Sequence, residues 1–191
     1  MQKFLFGIDR ISAFVGKAFA WSILLLTFAV SYEVFSRYVL GAPTDWAFDT
    51  SYILYGILFM MAGAYTLSRN GHVRGDILYG FLSPRKQATI DLILYIVFFL
   101  PGITALIYAG YDFAHMSWEL REHSSLTPSG PPIYHFKTII PIAGFFVLLQ
   151  GFAEIVRCVI CLRNGRWPPR LHDVEEVDVE KLKQMVADAP R

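Results

Sequence analysis

The chain has 191 residues, is 54% hydrophobic and 16% aromatic with a net charge of +1, and has a mean hydropathy of +0.42. Soluble globular chains average about 45–50% apolar residues; here the excess is gathered into four runs that meet the roughly 20 residues a bilayer core demands, so a membrane protein is favoured over a large soluble core. The charge by itself identifies no partner, no nucleic acid is expected, and the two cysteines (Cys158 and Cys161) exclude a disulfide framework.

In chain order, residues 1–17 set Phe4, Leu5, Ile8 and Ile11 against Lys3, Asp9, Arg10 and Lys17. That spacing predicts an amphipathic helix leading into the membrane. The first span is expected over about 18–40. It is too long for a signal peptide and no small-residue cleavage site follows, so it is expected to stay on the chain. Gly41, Ala42 and Pro43 end it, since glycine stops helices and the residue before proline is biased away from helix. Asp45 is the expected N-cap of the second span, about 46–67, with Trp46 as an interface anchor.

The connector after it carries Arg69, His72, Arg74, Asp76, Arg85 and Lys86 among Ile77, Leu78, Tyr79, Phe81 and Leu82. It is too polar to cross a bilayer and predicts a short in-plane amphipathic helix. The third span is expected over 87–111, kinked at Pro101. Phe113, Met116 and Leu120 continue its helical spacing, so the helix extends to about 121. Residues 124–132 read as an irregular loop. The fourth span is expected over about 139–162, with Pro141 near its first turn, where proline is tolerated. Residues 164–191 read as a soluble tail. The fold class is therefore an all-α integral membrane protein of four transmembrane helices.

Lysine and arginine set the expected orientation. They gather at the N-terminus, in the second connector and after the fourth span (Arg163, Arg166, Arg170), with only Arg37, Arg121 and Lys137 near the other side. Both termini are expected in the cytoplasm, and the tail 164–191 with them.

Ionisable residues within spans cost about 2.5–3.5 kcal/mol each at a helix centre on insertion scales. Glu33 and Arg37 share a helix face, and the turn after them is expected to bring Asp49 to Arg37. The resulting Glu33–Arg37–Asp49 cluster reads as a clamp on the hairpin or as a direct participant in moving an ion or substrate. Glu154 and Arg157 form an i, i+3 pair that reads as a helix–helix contact, with Asp91 at similar depth. Arg69, His72, Arg74 and Asp76 read as an anchor at the anionic inner leaflet or a partner contact more readily than as a catalytic cluster. Cys158 and Cys161 supply at most two of the four ligands of a structural zinc site and read as small apolar residues. The five histidines fall in connectors or the tail, which disfavours membrane haem, and no cofactor is expected on this chain.

The order Arg37-Tyr38, Pro43, Trp46, Asp49, Gly63, then Arg69-x-Gly71-His72-Val73-Arg74-x-Asp76 resembles the small membrane subunit of tripartite ATP-independent periplasmic (TRAP) transporters, the DctQ-like family. Trp118-Glu119 with Glu122 and Ser124, and Pro141-Ile142-Ala143-Gly144, are similar as well. The resemblance covers roughly residues 10–163. Asp49 stands where the family more often has glutamate, and Gly75 where a branched apolar residue is common. The resemblance implies that Pro43, Trp46, Trp118, Glu119 and Glu122 belong to structural or docking surfaces. It also implies two protein partners, a large membrane subunit that carries the substrate and sodium sites and a periplasmic binding protein; membrane phospholipids are the partner expected from the basic connector. The resemblance implies residence in the bacterial inner membrane and a role in organic-acid uptake in which this chain braces the large subunit. The competing readings are a homo-oligomeric channel or carrier and a membrane enzyme.

Overall fold

The computed structural model describes residues 2–71, 79, 81–127 and 130–170. Helices α1 (Gln2–Ala20) and α2 (Ser22–Tyr38) meet at a single turn residue, Trp21. Then come α3 (Ala47–Ser68), α4 (Pro84–Leu94), a π-helical turn (Tyr95–Phe99), α5 (Leu100–Glu119) and α6 (Tyr134–Asn164). Four helical stretches, 2–38, 47–68, 84–119 and 134–164, are long and apolar enough to cross a membrane. Among the described residues there is no strand; a single bridge joins His123 to Pro132. At 1.5 Å per residue the first and third stretches are each about 55 Å long, well beyond a hydrocarbon core of about 30 Å.

The helices do not form a square bundle. α6 is central and packs against α1, α3, α4 and α5, whereas α2 packs on α3. α1 lies in the groove between α3 and α6 and buries Leu5, Ile8, Asp9, Ser12 and Gly16. Those positions recur every three to four residues and so share one face. Gly16 is required at the crossing, because a Cβ there would overlap the Cβ of Tyr65. α2 buries only Ser22, Ala29 and Ser36, one small residue every seven.

Two apolar clusters hold these helices together. One joins Leu67, Ala88, Tyr95, Cys158 and Cys161, with Phe99, Ile155 and Trp167 packed against them. The other joins Leu5, Ile8 and Ala153 with Leu149, Val156 and Ile160. Just before Pro101, the expected site of a kink, stands a π-helical turn. Proline offers no N–H to the carbonyl of Val97 and its ring crowds the preceding turn, so the helix absorbs one extra residue there. Phe99, at the end of the π-helical turn, packs against Gly151, where a Cβ would collide with the ring.

Three local expectations are corrected. Asp45 is not an N-cap: Trp46 holds that position with no side-chain cap bond, and its ring stacks on Tyr32 at a centroid distance of 6.0 Å. Pro141 is not in a first turn. α6 starts at Tyr134, so the proline is interior; the polar residues before it are helical because Lys137 pairs with Glu122 and the Thr138 hydroxyl donates to the Tyr134 carbonyl at 2.9 Å. The third correction is Arg37–Asp49, described below. Most of the expected in-plane helix, residues 72–78 and 80, lies outside the described residues.

Candidate functional site

Charge is concentrated at the two ends of the molecule. The first end carries the 39–46 turn and the 120–133 loop. Gly41, at φ +66°, turns the chain in a conformation that suits glycine. Glu33 secures the turn: its Oε2 accepts the Thr44 N–H at 2.9 Å and the Thr44 hydroxyl, while its Oε1 accepts Arg37 Nε at 2.8 Å. Pro43 is exposed in the same turn.

Asp49 does not join this pair. It is 2% exposed, and its two oxygens accept the hydroxyls of Ser124 and Thr127. The expected three-residue cluster is therefore two separate devices. Glu33 was oriented by the turn backbone, a partner no i, i+4 pattern reveals. Asp49 sits in the first turn of α3, where the helix dipole already favours an anion, and faces the loop from the other half of the chain.

The same loop is tied to α6 by Glu122 and Lys137, and the Lys137 ammonium lies 3.9 Å from the centre of the Phe113 ring. The hydrogen bond from Lys137 is the main cause that lowers the Glu122 carboxyl below its ordinary value. Trp118 donates from Nε1 to the Thr138 hydroxyl at 2.8 Å and packs on Tyr134. Glu119 is exposed and its Oε1 is 3.7 Å from His115 Nδ1. Asp49, Tyr52, Phe113, Ser124, Phe136 and Lys137 help line a cavity of about 370 Å³ beneath the loop.

The second end holds a buried ionic cluster. Arg157, fully buried on α6, donates from one terminal nitrogen to Glu154 and from the other to Asp9 of α1 at 2.6 Å. Arg170 pairs with both oxygens of Glu154, at 3.0 and 2.7 Å. Gln150 donates to Asp9 at 3.0 Å and to Glu154 at 3.1 Å, and accepts the Ser12 hydroxyl at 2.9 Å. Two carboxylates thus meet two guanidiniums in a nearly closed hydrogen-bond network. The expected Glu154–Arg157 pair is present, but Asp9, Ser12, Gln150 and Arg170 were missed. Asp9 and Ser12 fall on the apolar stripe of α1 rather than opposite it, and Gln150 lies one turn before Glu154 inside an apolar run. Those were the available signals.

Asp91 accepts the Tyr79 hydroxyl at 2.7 Å, and Gln87 donates to the Tyr79 carbonyl at 3.0 Å, which ties the connector to α4. Arg69 ends α3 with its guanidinium 4.9 Å from the centre of the Tyr65 ring. His72, Arg74 and Asp76 lie outside the described residues. Cys158 and Cys161 are buried and are not joined in a disulfide. Among the described residues, no three His, Cys, Asp or Glu side chains converge as a metal site.

The arrangement is one of pinned ends and apolar walls, and a family comparison agrees with it. A model of the DctQ component of tripartite ATP-independent periplasmic transporters matches residues 26–161. The chain belongs to the DctQ family. No curated protein matches it. DctQ is a transporter-component family rather than an enzyme family, and its system is tripartite, so a DctQ chain works with partner subunits. With four apolar helices of spanning length, this DctQ chain is a multi-pass membrane protein. The match opens inside α2 and closes at Cys161, so α1 and the segment 165–170 lie outside it.

Proposed function

We propose that this chain is a brace: it packs against the large membrane subunit of a TRAP transporter and helps dock the periplasmic binding protein during sodium-coupled uptake of an organic acid. The observation that carries the reading is the state of α2. This helix packs on α3 through three small residues, and Phe28, Tyr32, Val34 and Phe35 stand exposed around the rest of it. Such a helix offers a broad apolar surface to lipid and to a neighbouring subunit. The charged groups support a brace over a carrier. In the described spans Asp9, Glu33, Asp49, Glu154 and Arg157 are each engaged by a partner from another segment, as structural pins are.

In this reading the substrate and sodium sites belong to the large subunit. In the same reading the chain resides in the inner membrane, and the lysine and arginine asymmetry supports cytoplasmic termini. The 39–46 turn and the 120–133 loop then face the periplasm, where Trp46, Trp118 and Glu119 are exposed for docking. Arg69, at the end of α3, then serves as an anchor at the anionic inner leaflet.

The test is a pull-down of the tagged chain from native membranes in mild detergent, followed by mass spectrometry. Recovery of a much larger, many-spanning membrane protein at equal stoichiometry is expected. Recovery of the chain alone, or only with copies of itself, would overturn the brace and favour a homo-oligomeric channel.

A further inference from the structure

The ionic cluster at the terminal end has an order: Asp9, Arg157, Glu154, Arg170, each paired with the next. Its middle members belong to α6 and lie within the family match; its outer members, on α1 and on the chain after α6, lie outside it. The segment 165–170 is folded back with care. Gly165 caps α6 at φ +74°, with its N–H 2.8 Å from the Cys161 carbonyl, which reverses the chain in a left-handed cap. Trp167 donates from Nε1 to Gln87 at 2.9 Å and packs on the core beside Cys158. Arg170 then returns to Glu154, where its side chain is 8% exposed.

We propose that α1 and the segment 165–170 are the two ends of one strap, and that the seating of each depends on the other through the charge balance at Arg157 and Glu154. With both ends seated, two negative and two positive groups cancel. Without Arg170, one guanidinium faces two buried carboxylates. Without the charge of Asp9, two guanidiniums face one. Either imbalance leaves an uncompensated buried charge, the costly case for an ion cluster. Without both, Glu154 and Arg157 remain as a neutral pair. Loss of one end therefore loosens the other, and the terminal end of the molecule opens or closes as a unit.

The test uses the full-length chain in lipid nanodiscs, with Asp9→Asn, Arg170→Met, the double variant and Arg170→Lys. Thermal midpoints and amide hydrogen exchange over residues 2–20 and 165–170 are the readouts. Each neutralising single variant should lower the midpoint by about 6–12 °C. Arg170→Met should speed exchange across α1 at least tenfold, although its ion pair is with α6. The double variant should melt above either single variant, and Arg170→Lys should stay close to the parent. A double variant no better than the singles would overturn the proposal, including the case in which none of the three accumulates. An effect of Arg170→Met confined to 165–170 would overturn it too.

Discussion

The two ends of this molecule handle charge in opposite ways. At the terminal end, Asp9, Glu154, Arg157 and Arg170 are nearly or fully buried and satisfy one another. At the other end, Glu33 and Asp49 are satisfied largely by one backbone N–H and by hydroxyls, and the two ion pairs there, Arg37–Glu33 and Lys137–Glu122, are each partly exposed. Pairing buried charges with each other offsets a desolvation cost that water cannot relieve, and that arrangement fails sharply when one member is lost. A carboxylate at a partly exposed rim, as Glu33 is, is held more gently, because water replaces a missing partner, whereas the buried Asp49 relies on its two hydroxyls. The terminal end is thus built as a lock, and the other as a set of pins on a turn and a loop.

The largest expected effect tests the lock. Arg157→Met leaves Asp9 without its guanidinium and should cost about 3–5 kcal/mol, read as a lowered thermal midpoint of the purified chain in nanodiscs. A loss under about 1 kcal/mol, the scale of an exposed pair, would mean that the terminal end is as forgiving as the other and erase the contrast. Next in size is Asp49→Ala, which removes the acceptor for two hydroxyls. It should cost about 1–3 kcal/mol and speed amide exchange over residues 122–127 while leaving α1 unchanged.

Arg37→Ala should be milder. Glu33 keeps both bonds to Thr44 and Arg37 is 53% exposed, so the loss should stay within about 1 kcal/mol. A loss as large as that of Arg157→Met would show that the turn depends on the ion pair. The smallest effect is a pH dependence. Lys137 lowers the Glu122 carboxyl, so their pairing stabilises the loop above the ordinary carboxylate range. That contribution fades as pH falls below about 4, through the depressed value. Exchange at residues 122–127 should rise in that acid window, and Lys137→Met should abolish the rise.

Much of this architecture was legible because membrane solvation acts on composition. Long apolar runs must be helices when no water satisfies the backbone, and glycine and proline marked where they end. The 39–46 turn, an irregularity of the helix near Pro101 and the extension of the third helix toward Glu119 followed from local residues. The start of α6 was placed too late because Tyr134, His135 and Lys137 interrupt the apolar run that marks the span. They are helical because Lys137 finds Glu122 across the loop. Asp49 was assigned to Arg37 by proximity along a hairpin, whereas its partners are 75 and 78 residues away in sequence.

By itself, then, the sequence determined the number of spans, their apolar character and the resemblance to DctQ chains, because each depends on windows of about 20 residues and on short ordered motifs. Only the tertiary structure decided how the charges are paired. Asp9 reaches Arg157 across 148 positions and Ser12 reaches Gln150 across 138, and nothing local favours those partners over others. They are chosen because α1 fits the groove between α3 and α6 at Gly16, and once it lies there, a buried carboxylate has to meet a buried guanidinium.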